Sequence, residues 1–176
     1  MHMLIKIVGI CSIAMAAILV GYRAAQNVKG RIDELLYIKR LMIMFQGELR
    51  YKNVTLSDGF MTVSRRANGI YRTLFERLSI ATEENYSKSM SQLFEENIDS
   101  ILVGNTLLSR EDICRLKELG ETMGYQDQKM QLANIDLYID RLSEAIEEDR
   151  MKMKDTMKMY RTLGVLSGLA SIIVFL

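Results

Sequence analysis

Few side chains in this chain could make or break bonds. The one histidine, His2, stands at the extreme N-terminus beside an apolar run, where no folded site could hold it as a base. The two cysteines, Cys11 and Cys114, lie far apart, and neither belongs to a Cys/His cluster with zinc spacing. No glycine-rich loop follows a strand pattern, and no nucleophile has a histidine to activate it. Carboxylates do come in pairs, at Glu83-Glu84, Glu95-Glu96 and Glu147-Glu148-Asp149, and paired carboxyls are the residue type of general acid-base work. Each pair falls on a helix face or near a helix end, where solvation is the ordinary account. The expectation is therefore a protein that is not an enzyme and holds no metal and no cofactor.

The elements that carry these residues follow from composition. A chain of 176 residues with 49% hydrophobic side chains can bury one modest core. It has no proline and little glycine, so the turn chemistry that many short strands require is missing and an all-α fold is expected. The charge-free runs 7–22 and 163–176 are expected to form N- and C-terminal transmembrane segments. The first approaches the roughly 17–20 residues that a span needs, with Lys6 snorkelling; the second is shorter. Small residues four apart, Ala17 with Gly21 and Gly164 with Gly168, would let membrane helices pack closely. The expected organisation is an anchor over 1–28, a helical domain over 29–161 and a second membrane segment over 162–176.

Charge is segregated along the chain. Residues 23–52 and 150–161 each carry a net charge of +4, whereas 53–149 carry −8. Basic residues flank membrane segments on the cytoplasmic side, so the middle of the chain is expected to face the cytoplasm, with its basic ends against anionic lipid and side by side. The acidic middle disfavours nucleic acid as a partner.

Apolar spacing predicts a bundle of about six helices. Ile32, Leu35, Ile38, Met42, Phe45 and Leu49 form a stripe over 30–52, with 41–45 apolar all round and expected to be buried between neighbours. Ser57 or Asp58 is the expected cap of a helix over 59–66, which forms a hairpin with one over 70–80. A further helix is expected over 86–102, closed by Gly104 and Asn105. Ser109 with Asp112 opens the next in a capping-box-like arrangement, and Gly120 and Gly124 are expected to end or bend it. From residue 126 a long helix should run through Leu132, Ile135, Ile139, Leu142, Ile146 and Met153 into the second apolar run. Met42, Met44, Met151, Met153, Met157 and Met159 are read chiefly as core filling.

The segment 119–131, LGETMGYQDQKMQ, resembles the L-G-x-x-x-G-x-x-D-x-x-x-Q signature of the stage III sporulation protein AB family. The resemblance extends to Gln46-Gly47-Glu48-Leu49-Arg50-Tyr51 with Thr55-Leu56, to Leu74-Phe75, and to Tyr160-Arg161-Thr162-Leu163-Gly164 with Gly168. It covers nearly the whole chain. The family's usual proline after the threonine of the first turn is absent, as is a tryptophan in the fourth helix. Within the signature, Gly120, Gly124, Asp127, Gln131, Glu48, Tyr160 and Gly164 are read as structural.

The resemblance implies a subunit of the channel complex between mother cell and forespore in endospore-forming bacteria. Its domain would be like the platform proteins of type II secretion and type IV pilus machines. It further implies partners: the cytoplasmic ATPase of that complex, its other membrane subunits and membrane lipid, with homo-oligomerisation open. Two acidic groups, Glu95, Glu96 and Asp99 and then Asp136, Asp140, Glu144 and Glu147, are the surface expected to dock the ATPase. The alternative is a membrane-tethered helical scaffold or adaptor without ATPase coupling.

Overall fold

The described residues form six α-helices and no strand: α1 (His2–Lys52), α2 (Leu56–Arg66), α3 (Gly69–Glu84), α4 (Met90–Ile101), α5 (Arg110–Met123) and α6 (Gln128–Phe175). The computed structural model describes the backbone of residues 2–52, 54–84, 87–123 and 127–175. It describes the side chains of Arg23, of 26–155 within those spans, and of Lys158, Met159 and Thr162. Two compact units make up the chain, Met1–Ile32 with Glu147–Leu176, and Asp33–Ile146. Among the described residues no helix is long and apolar enough to cross a membrane. The runs 7–22 and 163–176, with the small pairs Ala17/Gly21 and Gly164/Gly168, have side chains outside the described residues.

In the unit 33–146 the first four helices each contribute one phenylalanine to a single cluster. Phe60 of α2 stacks on Phe45 of α1, centroids 4.5 Å apart and planes 5° from parallel. It also meets Phe75 of α3 at 6.1 Å and the edge of Phe94 of α4 at 5.8 Å. Offset-stacked and edge contacts of this kind contribute about 0.5–1.5 kcal/mol each beyond the area they bury. Two glycines make room for the rings. A Cβ on Gly59 would stand 2.8 Å from the Phe45 ring, and one on Gly120 would stand 2.5 Å from Cβ and Cγ of Phe94. Gly120 is therefore a packing position inside α5, which runs on to Met123, and does not end or bend that helix as the sequence suggested.

The helix starts follow capping chemistry. Thr55, not Ser57 or Asp58, caps α2: its hydroxyl accepts from the Asp58 amide at 3.2 Å. Ser57 instead ties the start of α2 to the end of α3, donating to the Ser79 carbonyl at 3.0 Å while the Ser79 hydroxyl donates to the Ser57 carbonyl at 2.9 Å. Ser89 and Gln92 form a reciprocal capping box at α4, which shifts its start from the expected 86 to Met90. Ser109 and Asp112 open α5 as expected: the Ser109 hydroxyl accepts from the Asp112 amide at 3.1 Å, and the Asp112 carboxylate accepts the Ser109 amide at 2.9 Å. Gly104, at φ +79°, follows α4 where the sequence placed its end.

Along α1, Leu35, Ile38, Leu41, Met42, Phe45 and Leu49 are buried, but Ile43 is 49% exposed. Its position on the outer side of the helix corrects the expectation of all-round burial over 41–45. Met42 fills the core, whereas Met151 and Met159 are exposed. Glu34 anchors α1 to the connection before α5, its carboxylate accepting from the Leu107 amide at 2.8 Å. Burial holds this carboxyl above the 4.5 of a free side chain, although the Leu107 and Leu108 amides pull it down.

Two outcomes are expected from denaturation of the full chain. Gly120→Ala forces a methyl against Cβ and Cγ of Phe94 and should cost about 1–3 kcal/mol, which Phe94→Leu, keeping both atoms, should not recover. At Gly47 nothing lies within 4 Å of an added Cβ, so Gly47→Ala should gain about 0.5–1 kcal/mol from helix propensity alone. The third expectation concerns pH. With its folded value raised, Glu34 ionises in the unfolded chain first, so stability should fall as pH rises from 4.5 through the folded value. Glu34→Gln, which keeps an acceptor for Leu107, should remove that slope in midpoints measured between pH 4.5 and neutrality.

Candidate interaction surface

The interior holds a small set of polar groups among the described residues. Asp112 is buried, and its carboxylate is committed to the Ser109 amide and hydroxyl, the latter at 2.7 Å. Tyr71 and Tyr138 are buried nearby, and burial, with Asp112 adding repulsion, drives both phenols to higher pKa. That shift keeps them protonated and makes them poor bases at neutral pH. Among the described residues no group of His, Cys, Asp or Glu could hold a metal ion. A groove of about 280 Å³ between α5 and α6 is lined by Arg115, Glu118, Asn134, Tyr138 and Arg141. Arg141 pairs with Glu118 at 3.5 Å and Arg115 with Glu111 at 2.5 Å, so both of its arginines are paired within the chain.

The signature residues have structural positions. Asp127 caps α6, its carboxylate accepting from the Lys129 amide at 2.9 Å while its carbonyl accepts from Gln131 at 3.0 Å. The Gln131 side chain donates to the Met123 carbonyl at 3.2 Å and so fastens the end of α5 to the start of α6. Gln128 donates to the Leu49 carbonyl at 2.8 Å, fastening α6 to α1. Glu48 is buried and pairs with Lys52 at 2.7 Å. Gly124 lies outside the described residues, as do the side chains of Tyr160 and Gly164.

The acidic residues divide by how far the chain itself neutralises them. On α4, Glu96 pairs with Lys88 at 2.7 Å, Asp99 with Lys117 at 2.7 Å, and Glu95 lies 3.9 Å from the same lysine. On α6, Asp136 meets the Gln46 side-chain amide and pairs with Arg50 at 3.2 Å. Asp140 and Glu144 are exposed and form no ion pair among the described residues. Glu147 belongs to the other unit, where it lies 3.8 Å from Arg150. The two acidic groups are thus set on different helices with different partners.

Asp149 is the functional-looking residue that sequence reasoning placed wrongly. It is buried, and the Arg31 guanidinium donates to both its oxygens at 2.7 and 2.6 Å within the unit formed by the chain ends. The signal was available: Asp149 follows Leu142 by seven and Ile146 by three, which puts it on the apolar seam and not among solvated acids.

A family model described as stage III sporulation protein AB matches residues 6–176. The stage III sporulation protein AB of Bacillus subtilis (strain 168) is 23% identical over 174 residues, covering 98% of this chain and all of that protein. No solved structure matches.

Proposed function

The chain belongs to the stage III sporulation protein AB family, and on that premise we propose that it is a membrane platform subunit of the channel complex between mother cell and forespore. In this role it docks that complex's cytoplasmic ATPase and catalyses nothing itself. The observation that carries the proposal is the Arg31–Asp149 clamp. It joins a helix that begins with one apolar run to a helix that ends with the other, inside one compact unit. A half-buried ion pair in which one guanidinium nitrogen, Nη1, donates to both carboxylate oxygens ties two helices at one level, because a slip would leave a buried charge without its partner. Two apolar runs brought together behind basic flanks fit paired insertion into a membrane whose inner surface is anionic. The acidic bundle then lies on the cytoplasmic side, where an ATPase is found.

Within this proposal the ATPase meets α4, where Glu95, Glu96 and Asp99 lie exposed within two turns. The lysines beside them hold the carboxylates in place but leave them accessible at the rim, where charge steers association and confers salt dependence. The same lysine pairing favours the second reading, a scaffold held by its membrane helices with no ATPase coupling, because a neutralised surface attracts a cationic partner less.

Calorimetry on the detergent-solubilised full chain with the complex's ATPase, at two salt concentrations, separates the two readings. Binding that weakens with salt, and weakens about tenfold in Glu95→Gln/Glu96→Gln/Asp99→Asn, is the expected result. Binding unchanged in that variant removes α4 as the surface. No binding under either condition leaves the scaffold.

A further inference from the structure

The outer side of α1 contains a glycine that the chain itself does not explain. Gly47 sits in the helix interior, where glycine weakens a helix, and nothing comes within 4 Å of the position its Cβ would take. At Gly59 and Gly120, by contrast, a phenylalanine fills that space. One turn to either side of Gly47 are two of the exposed large apolar residues, Ile43 at 49% and Tyr51 at 83%. Spacings of four put all three on one face. Arg40, exposed three residues before Ile43, completes the stripe and forms no ion pair among the described residues. A cationic, apolar helix face with a gap at its centre is shaped to receive another helix.

The complementary face is on α6. Ala133, Leu137 and Asp140 follow spacings of four and three on its outer side; all three are exposed, Leu137 to 51% where it also edges the groove beside α5. The Asp140 carboxylate, like the Arg40 guanidinium, has no ion-pair partner among the described residues. The contacts of Gln46 with Asp136 and of Gln128 with the Leu49 carbonyl fix α1 and α6 as antiparallel neighbours in the unit 33–146. In that register Arg40, Ile43 and Gly47 lie within about a turn of the levels of Asp140, Leu137 and Ala133. Rotation by a half-turn about an axis parallel to the helices preserves these levels.

We propose that this face is a self-association surface. The α1 stripe of one copy packs on the α6 stripe of a second, with Ala133 entering the gap at Gly47, Ile43 against Leu137 and Arg40 against Asp140. The arrangement is isologous, so each contact is made twice and the assembly closes as a dimer. It leaves the α4 carboxylates free, and it does not depend on whether they bind an ATPase. Charge complementarity selects a second copy as the occupant: Arg40 and Asp140, opposite in charge and each beside an exposed apolar residue, sit at matching levels on the two helices of one chain.

The test uses the full chain in mild detergent with Cys11→Ser and Cys114→Ser, so that only introduced thiols react. Copies carrying Gly47→Cys are mixed with copies carrying Ala133→Cys and oxidised; any disulfide between them is intermolecular. The mixed pair should cross-link well above either variant alone and above Arg72→Cys with Ala133→Cys, which probes an exposed residue of α3. Sedimentation should show a concentration-dependent dimer. Gly47→Leu should abolish it at unchanged helicity, and Arg40→Glu should weaken it about tenfold. The double variant Arg40→Glu/Asp140→Arg, which exchanges both charges, should restore it. A monomer at every concentration with cross-linking no higher than the α3 control overturns the proposal. Failure of the charge exchange to restore the dimer also overturns it, because that result assigns the face to a different protein.

Discussion

The stack of Phe45 on Phe60 is the contact on which the rest of the bundle depends. Phe60 lies on a helix of only eleven residues, too short to persist by propensity alone, and its ring joins α1 to α3 and α4 through Phe75 and Phe94. The ring arrangement dictates where backbone must thin. α2 approaches α1 at Gly59, and α5 approaches α4 at Gly120. Neither glycine is needed for a turn. Both serve rings on neighbouring helices, and this is why α5 can bury Gly120 without breaking.

How much of this was legible follows from the range of the interactions. The apolar stripes of α1 and α6 and the Ser109–Asp112 cap depend on residues within a turn or two, and the sequence displays them directly. The cap of α2 lies two or three residues before the expected Ser57 or Asp58, which are equally good capping types. What decides for Thr55 is that the Ser57 hydroxyl is engaged by Ser79, 22 residues away. Leu56 occupies the first helical position, where proline is tolerated because its missing N–H has no partner in any case; that is a physical account of the family's usual residue there. Gly120 was read as a helix end because its real constraint, Phe94, lies on another helix. Ile43 was read as buried because a run of apolar residues does not reveal which side of it has no neighbour.

The charges divide in a similar way. Several surface carboxylates sit within reach of a lysine or arginine, as Glu96 does with Lys88 and Glu111 with Arg115, and exposed pairs of this kind add little to stability. Asp149 differs because it is withdrawn from water. A buried carboxylate without its guanidinium would be strongly destabilising, so the pair constrains the helices on which it sits. Specificity of register is the well-attested use of such a pair, and between two long helices a slip of one turn would strand both charges.

The exposed stripes of α1 and α6 combine charge with apolar side chains. Arg40, Asp140 and Glu144 stand without ion-pair partners among the described residues, beside apolar groups and a glycine that no internal contact requires. A cation and an anion at the same level on neighbouring helices, each beside an exposed apolar residue, set out opposite charges at the two ends of one face. Single exposed apolar residues are ordinary; a repeat of them at helical spacing around a gap is a different matter. The interior of this bundle is fixed by rings packed against glycines, and its outer side presents a related pairing, an apolar side chain beside a glycine, with the side chain that fills the space supplied by a second copy.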